Sequence, residues 1–480
     1  MWSRSSIGII LALWLAETTQ SFETAMIYAA QRALTDELGD PVKVGWLITG
    51  YLLIGAGAAA VAGRLGDIFG RRRLLNILLI CAACGSLLSA LAPNYPVLLI
   101  GRCLQGITGA IFALCVGLVR ENLPPERVPM GIGLMVSGAS AGTASGLVVG
   151  GLIVDHFSWH AVFVASAALA VISLTAVLLT VPRSPRSAGS ARIDWFGGIL
   201  FVPAVFAILA AITYGPSWGL GDRRTLTFLF AGVLLIALWI RASLRSPHPL
   251  FNVRLFANRA VLVTNGVTAL VAMSTLQIAL LFSLLLQAPK WTMIGLGVSA
   301  TVAGLIKLPS NMSSLFGGPL SGWLTSRWGG RPTMIIGGVV STTGWLLAMV
   351  FNDSITQVAL VLIVISFGTT MLFAVGPTVL AQAVPPDRTS EAAGMMTITR
   401  QVFLGIGAQF ISVILASETM AGPGGSARYP TADAFMTSMW VIVAGCVAAT
   451  LMAFALPREA GKRLREPAPD GLGSGLPKKA

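Results

Sequence analysis

Apolar residues run in long blocks from Ile7 to Leu456, each ended by a short polar, proline or glycine-rich break. Each block is close to the ~20 residues that a helix needs to cross a hydrocarbon core. Fourteen such blocks predict transmembrane helices at 7–30, 43–62, 74–92, 96–119, 129–153, 159–181, 193–214, 225–243, 260–286, 296–321, 333–351, 357–381, 392–416 and 435–456. The stretch from Pro182 to Arg192 (PRSPRSAGSAR) reads as a linker. The segment after Pro457, rich in charge, Gly and Pro, reads as disordered. The expected fold class is an all-α integral membrane protein: an N-terminal six-helix bundle (1–181), a linker with two extra transmembrane helices (182–254), a C-terminal six-helix bundle (255–456) and a cytoplasmic tail (457–480).

Composition narrows the function. Of 480 residues 55% are hydrophobic and 11% charged, against about 25% charged in a soluble domain. That excludes a soluble enzyme and a disordered chain. The net charge of +13 would suggest nucleic acid in a soluble protein. Here the basic residues sit in short loops and set topology. With the N-terminus inside, 23 of the 32 Lys and Arg fall on the inner side, 6 outside and 3 within spans. Both termini are therefore expected in the cytoplasm of a cell membrane. The alternative at the start is a cleaved signal peptide built from Arg4 and Ile7 to Ala16, leaving thirteen spans. The five cysteines form no disulfide framework, and Cys81-x-x-Cys84 sits in an apolar run as packing. No metal, cofactor or nucleophile constellation is expected. The chain has no phosphate loop, and Gly55-x-Gly57-x-x-Ala60 reads as small residues for helix packing.

An internal repeat follows. Gly63-Arg-Leu-Gly-Asp-Ile-Phe-Gly-Arg-Arg72 ends the second span and Gly322-Trp-Leu-Thr-Ser-Arg-Trp-Gly-Gly-Arg331 ends the tenth. Each lies in the inner loop after the second span of a six-span block, which points to a transporter with its site between two related halves. Trp46, Tyr51 and then Gly63-x-Leu65-x-Asp67-x-x-Gly70-Arg71-Arg72 resemble the signature of the major facilitator superfamily, and Arg102-x-x-Gln105-Gly106 its second signature. Further stretches resemble the 14-span drug:proton antiporters of EmrB/QacA type. They are Asp194-Trp195-x-Gly197, Gly215-x-x-Trp218-Gly219, Pro249-Leu250-Phe251, Leu255-Phe256-x-Asn258-Arg259 and Arg400-Gln401. The resemblance implies a major facilitator fold and proton-driven export. Two departures weaken the analogy. The span-one pattern carries Glu23, Tyr28 and Arg32 where the family has Asp, Asn and Pro, and the fifth-span motif has Leu147 where Pro is usual. The glycine ladder Gly142, Gly146, Gly150 and Gly151 still permits close helix packing.

Charges inside spans are costly and mark function. Glu17 lies ~15 Å into the first span and Glu23 ~9 Å nearer the outside, at 1.5 Å per residue. Arg102 is expected at the depth of Glu23, where the two could pair. Proton coupling is assigned to Glu23, Arg102 and Glu17, with a structural ion pair as the plainer reading of Glu23. The substrate cavity is expected to be lined by Glu17, Gln20, Thr24, Gln105, Lys307 and Arg400, with Lys307 either attracting an anion or offsetting Glu17. The inner gate is assigned to Gly63, Asp67, Gly70, Arg71, Arg72 and Arg331. There Asp67 either pairs with Arg71 or Arg72 or caps a helix end. His156 and His160 read as surface residues.

These residues point to a secondary transporter, not an enzyme, that exports an amphipathic organic compound against protons. Uptake of a nutrient or a lipid-related substrate, and a scaffold or sensor without transport, are the alternatives. The expected partners are the small-molecule substrate, protons and the lipid bilayer, with no nucleic acid. Accessory efflux proteins would join an export system, and otherwise the chain acts as a monomer.

Overall fold

The computed structural model describes residues 4–124, 128–184, 195–219, 221–246, 253–384, 389–422 and 428–457, and they are almost wholly helical. The first group is α1 (Arg4–Ala29), α2 (Gln31–Leu38), α3 (Pro41–Phe69), α4 (Arg71–Ala90), α5 (Tyr95–Gly106), α6 (Ile111–Asn122), α7 (Val128–His156) and α8 (Trp159–Thr180). Next come α9 (Trp195–Trp218) and α10 (Arg223–Arg245). The second group is α11 (Arg259–Met273), α12 (Ile278–Gln287), α13 (Ala300–Trp328), α14 (Gly330–Val350), α15 (Ile355–Ala383), α16 (Thr389–Ser417) and α17 (Ala432–Ala453). A small antiparallel ribbon, β1 (Thr419–Ala421) and β2 (Arg428–Pro430), joins α16 to α17 with Met420 opposite Tyr429.

Among the described residues, eleven helical stretches are long and apolar enough to cross a membrane. Three further long helices fall outside that set, two of them because they carry polar residues inward. They are α1 with its Glu17–Thr24 run, α13 with Lys307 and Ser310, and α9, whose apolar part is the shorter Leu200–Gly215. Helix starts are fixed by side-chain caps that satisfy free N–H groups. Asp40 accepts from Val42 N, Asn94 from Val97 N and Thr431 from Ala434 N, and Ser354 with Gln357 forms a capping box on α15.

Three expectations are corrected and one element is added. The polar stretch after the first span holds a short helix, α2. The Gly63–Arg73 segment is not a loop: α3 continues to Phe69, Gly70 turns the chain at φ +90°, and α4 starts at Arg71. Gly329, at φ +95°, does the same between α13 and α14. A single residue in that region of φ reverses the chain because glycine has no Cβ to clash. The ninth span is broken at Ser274, and the fold is not purely α because of the ribbon. Most of the linker, from residue 185 to 194, and the tail from 458 lie outside the described residues.

In the first group α1 lies between α7 and α8, and in the second α14 lies between α15 and α17. The groups meet along two seams, α3 with α16 and α7 with α13. Helix α9 covers the first seam: its Val205 and Leu209 pack with Trp46, Leu53 and Ala56 of α3 and with Ile398 and Val402 of α16. Helix α10 packs on the outside of α9 and leaves Phe230, Val233 and Leu234 exposed, as a lipid-facing helix should.

A candidate site between the two helix groups

Described contacts close the seams at one end. At the end holding the starts of α3 and α13, here the far face, Gly45 abuts Ser412 and Gln409, Gly151 abuts Ala300, and Gly304 abuts Leu147. Hydrogen bonds add to the packing. Thr49 Oγ1 donates to Gly405 O (3.1 Å), Gln287 Nε2 to Tyr28 O (3.0 Å), and Ala300 N and Thr301 N donate to Asp155 (2.9 and 2.8 Å). Above them Tyr429 of the ribbon donates to Asp36 of α2 and packs edge-on against Trp291. Burial first, and then the Asp36 carboxylate, push the Tyr429 phenol above its ordinary range, so this lid stays protonated. Gln401 Nε2 of α16 also donates across the groups to Gly109 O at 3.3 Å. At the opposite end, the arginine face of Gly70 and Gly329, a methyl built on Gly318, Gly322 or Gly394 would meet no described atom within 4 Å. The described contacts between the groups thus gather at the far face, and the space between the groups below them is the cleft.

Glu23 is fully buried on the first-group side of this cleft. Its Oε1 accepts from Ser86 and Ser166 Oγ (both 3.1 Å) and its Oε2 from Thr108 Oγ1 (3.0 Å). Arg102 is equally buried, but it does not form the expected side-chain pair. Its NH1 donates to the main-chain oxygen of Glu23 (3.2 Å) and to Gln105 Oε1 (2.9 Å), and its Nε to Leu47 O (3.3 Å). The guanidinium lies 4.5 Å from the Tyr51 ring centroid, a cation–π contact. Gln105, expected in the cavity wall, is instead 0% exposed and donates to Ser86 Oγ. In the second group an interior cluster is built of hydroxyls. There Thr275, Ser341 and Thr369 hydroxyls lie 2.8–3.1 Å apart and Trp345 Nε1 donates to Thr275.

Glu17 is held differently. Its Oε2 is buried with no hydrogen-bond partner among the described residues. The opposing charge that acts on it is Arg400 of α16, across the cleft. Arg400 is half-buried with its guanidinium 5.6 Å from the Phe373 ring centroid. Lys307 does not offset Glu17. It is buried and donates from Nζ to Ala279 O and Ser283 Oγ, both on the α12 side of its own group. Gln20 and Thr24 are half-buried beside Tyr51, with Thr24 Oγ1 3.1 Å from the Tyr51 hydroxyl.

At the arginine face, several contacts lie within one group. Arg71 pairs with Glu121 (3.0 Å), whose other oxygen accepts from Ser184. Arg72 donates to Leu178 O at the end of α8, and Arg331 lies over Phe454 at the end of α17. Gly63 and Asp67 lie on α3, but the Asp67 side chain is outside the described residues. Gly142, Gly146 and Gly150 pack α7 on α1, whereas Gly151 turns across the seam to Ala300.

Sequence reasoning missed Ser86, Ser166, Thr108 and Asp155. Thr108 was findable: with Arg102 and Gln105 it repeats every third residue, which places all three near one helix face. Asp155 had only its place after a glycine pair.

A model described as the Major Facilitator Superfamily matches residues 9–408. The chain belongs to this superfamily. The tetracenomycin C resistance and export protein of Streptomyces glaucescens is 30% identical over 417 residues, covering 85% of this chain and 76% of that protein. The multidrug resistance protein B homolog of Mycobacterium tuberculosis is 27% identical over 412 residues, covering 84% and 74%. A bacterial homolog of the human lysosomal transporter Spinster, in an inward-facing and unoccupied conformation, shares the fold with a TM-score of 0.69 at 15% identity, covering 95% of this chain and 98% of that one. As a superfamily member the chain is a multi-pass membrane transporter and not an enzyme.

Proposed function

We propose that this superfamily member is a 14-span drug:proton antiporter that exports amphipathic organic compounds across the cell membrane, with both termini in the cytoplasm. The arginine bias supports that orientation, so the arginine face is the inner one and the cleft opens inward. The resistance and export names of the relatives support export. Two six-helix bundles correspond to the two helix groups, with α9 and α10 as the inserted pair. The observation that carries proton coupling is the enclosed carboxylate of Glu23, held by three hydroxyls and flanked by Arg102. An ionisable group at that depth belongs to a proton or ion route.

Substrate enters the inward cleft, where Glu17 has a free carboxylate oxygen opposite Arg400. A cationic substrate competes with Arg400 for Glu17, so loading loosens a link between the halves. Protonation of Glu23 from the outside then accompanies the return. The test is substrate-driven proton release from proteoliposomes over a panel of cationic, anionic and neutral amphiphiles. Release should follow addition of at least one panel class, and Glu23→Gln should lose gradient-driven accumulation while keeping binding and passive exchange. Undiminished gradient-driven flux in Glu23→Gln would remove Glu23 as carrier, and gradient-driven import of the panel would reverse the direction.

A further inference from the structure

Glu23 is enclosed, yet a file of hydroxyls leads from it to the cleft. Thr108 Oγ1 lies 3.0 Å from Glu23 Oε2 and 3.1 Å from the Tyr51 hydroxyl. The Tyr51 hydroxyl lies 3.1 Å from Thr24 Oγ1, and Thr24 is in reach of Gln20. Glu23 and Thr108 are 0% exposed and Tyr51 2%, whereas Thr24 and Gln20 are half-buried. The file thus runs from the dry interior to the cleft wall. The other partners of the carboxylate, Ser86 and Ser166, are themselves 0% exposed and lead deeper between α4 and α8.

We propose that Thr108 and Tyr51 conduct the proton between Glu23 and the cleft. The proposal rests on the reading of Glu23 as the proton carrier. Each hydroxyl can donate and accept at once, and each neighbour is within hydrogen-bond range. The transfer balances as a chain of single hops. The protonated Glu23 gives its proton to Thr108 Oγ1 while Thr108 passes its own to Tyr51. Tyr51 passes its proton to Thr24, and Thr24 to water in the cleft. Every hydroxyl breaks one O–H bond and forms one, the carboxylate keeps the electron pair, and nothing is oxidised or reduced.

The same geometry holds the file at rest. Main-chain oxygens lie beside each member: Gln105 O is 2.7 Å from Thr108 Oγ1, and Gln20 O is 3.2 Å from the Tyr51 hydroxyl and 2.9 Å from Thr24 Oγ1. While the hydroxyl protons point to those carbonyls, no continuous donor chain exists. Conduction requires the hydroxyls to rotate onto one another. Gln20 O and Thr24 belong to α1 and Tyr51 to α3, so a shift of α1 against α3 makes or breaks the file. Arg102, stacked on the Tyr51 ring, places a fixed positive charge beside the file and disfavours entry of any other cation.

The test follows protonation itself and needs no substrate. After a pH jump, time-resolved infrared spectroscopy of the reconstituted full chain reads the carbonyl stretch of protonated carboxyl groups, and the part lost in Glu23→Gln belongs to Glu23. Tyr51→Phe keeps the ring under Arg102 and removes only the hydroxyl. It and Thr108→Val should slow the Glu23 band at least about tenfold, as expected when a positioned proton-transfer group is lost. Thr108→Ser should recover most of that rate. Unchanged rates in both Tyr51→Phe and Thr108→Val would overturn the relay while leaving Glu23 as carrier. A pH-dependent band that survives Glu23→Gln in full would overturn the relay together with the reading it rests on.

Discussion

Arg102 and Arg400 both lie inside the helical body, and they are held in opposite ways. Arg102 donates to two main-chain oxygens and one side-chain oxygen and stacks on Tyr51. Among the described residues Arg400 lies over the Phe373 ring and feels the charge of Glu17. Removing a donor from buried acceptors costs the desolvation of each one left behind, about 1–3 kcal/mol apiece. Arg102→Ala should therefore lower the thermal midpoint in detergent sharply. Arg102→Lys should recover only part of it, because an ammonium cannot copy the planar fork. Arg400→Ala should barely move the midpoint but should tighten binding of cations by freeing Glu17, read by ligand titration of both variants. A large loss of stability in Arg400→Ala would mean that the Glu17 link is structural. Depth placed Glu23 and Arg102 at one level from sequence alone. Which atom of Glu23 the guanidinium meets was not legible, because that depends on how α5 rolls against α1. The charge of Arg400 acting on Glu17 was hidden for a similar reason: the two lie in different helix groups.

Hydropathy found the long elements because apolar length is what the bilayer demands. It failed where a helix has other work. Helix α2 (QRALTDEL) is too short and polar to register, yet it carries Asp36, which meets the ribbon. The break at Ser274 is invisible in a run that stays apolar on both sides. The inner turns were read as loops, whereas each needs one glycine. A Cβ on Gly70 would lie no closer than 3.5 Å to Ser184, so space is not the constraint there. The constraint is φ at +90°. Gly70→Ala should cost about 1–2 kcal/mol through backbone strain. By contrast Gly322→Ala sits in a helix with open space around it and should be neutral or slightly stabilising. Chemical denaturation of the two variants side by side checks the contrast. Equal effects would place the turn's cost elsewhere than in φ.

Across the whole molecule, the two halves are tied at one end by parts that differ in kind. Glycine contacts at Gly45, Gly151 and Gly304 bring backbones together, and α9 lies along one seam as a lateral cover. Beside Asp36, which holds Tyr429, Asp155 adds a second carboxylate to the closure. It projects from the end of α7 onto the first two N–H groups of α13, so one half caps a helix of the other. A cap on a helix start is worth about 1 kcal/mol, and the helix dipole adds to a carboxylate there. This cap exists only while the far face is closed, so its energy goes entirely into the balance between closed and open states. Asp155→Ala should therefore shift that balance several-fold toward the open state. A cysteine placed at Ser412, buried beneath Gly45, reports on it. In a background without the native cysteines, a membrane-impermeant maleimide added from outside should label that site several-fold faster in Asp155→Ala than in the parent. Asp155→Asn, which still offers a side-chain oxygen to the two N–H groups, should fall between them. Equal labelling of all three would assign closure to the glycine contacts and leave the carboxylate as a helix cap without a part in the cycle.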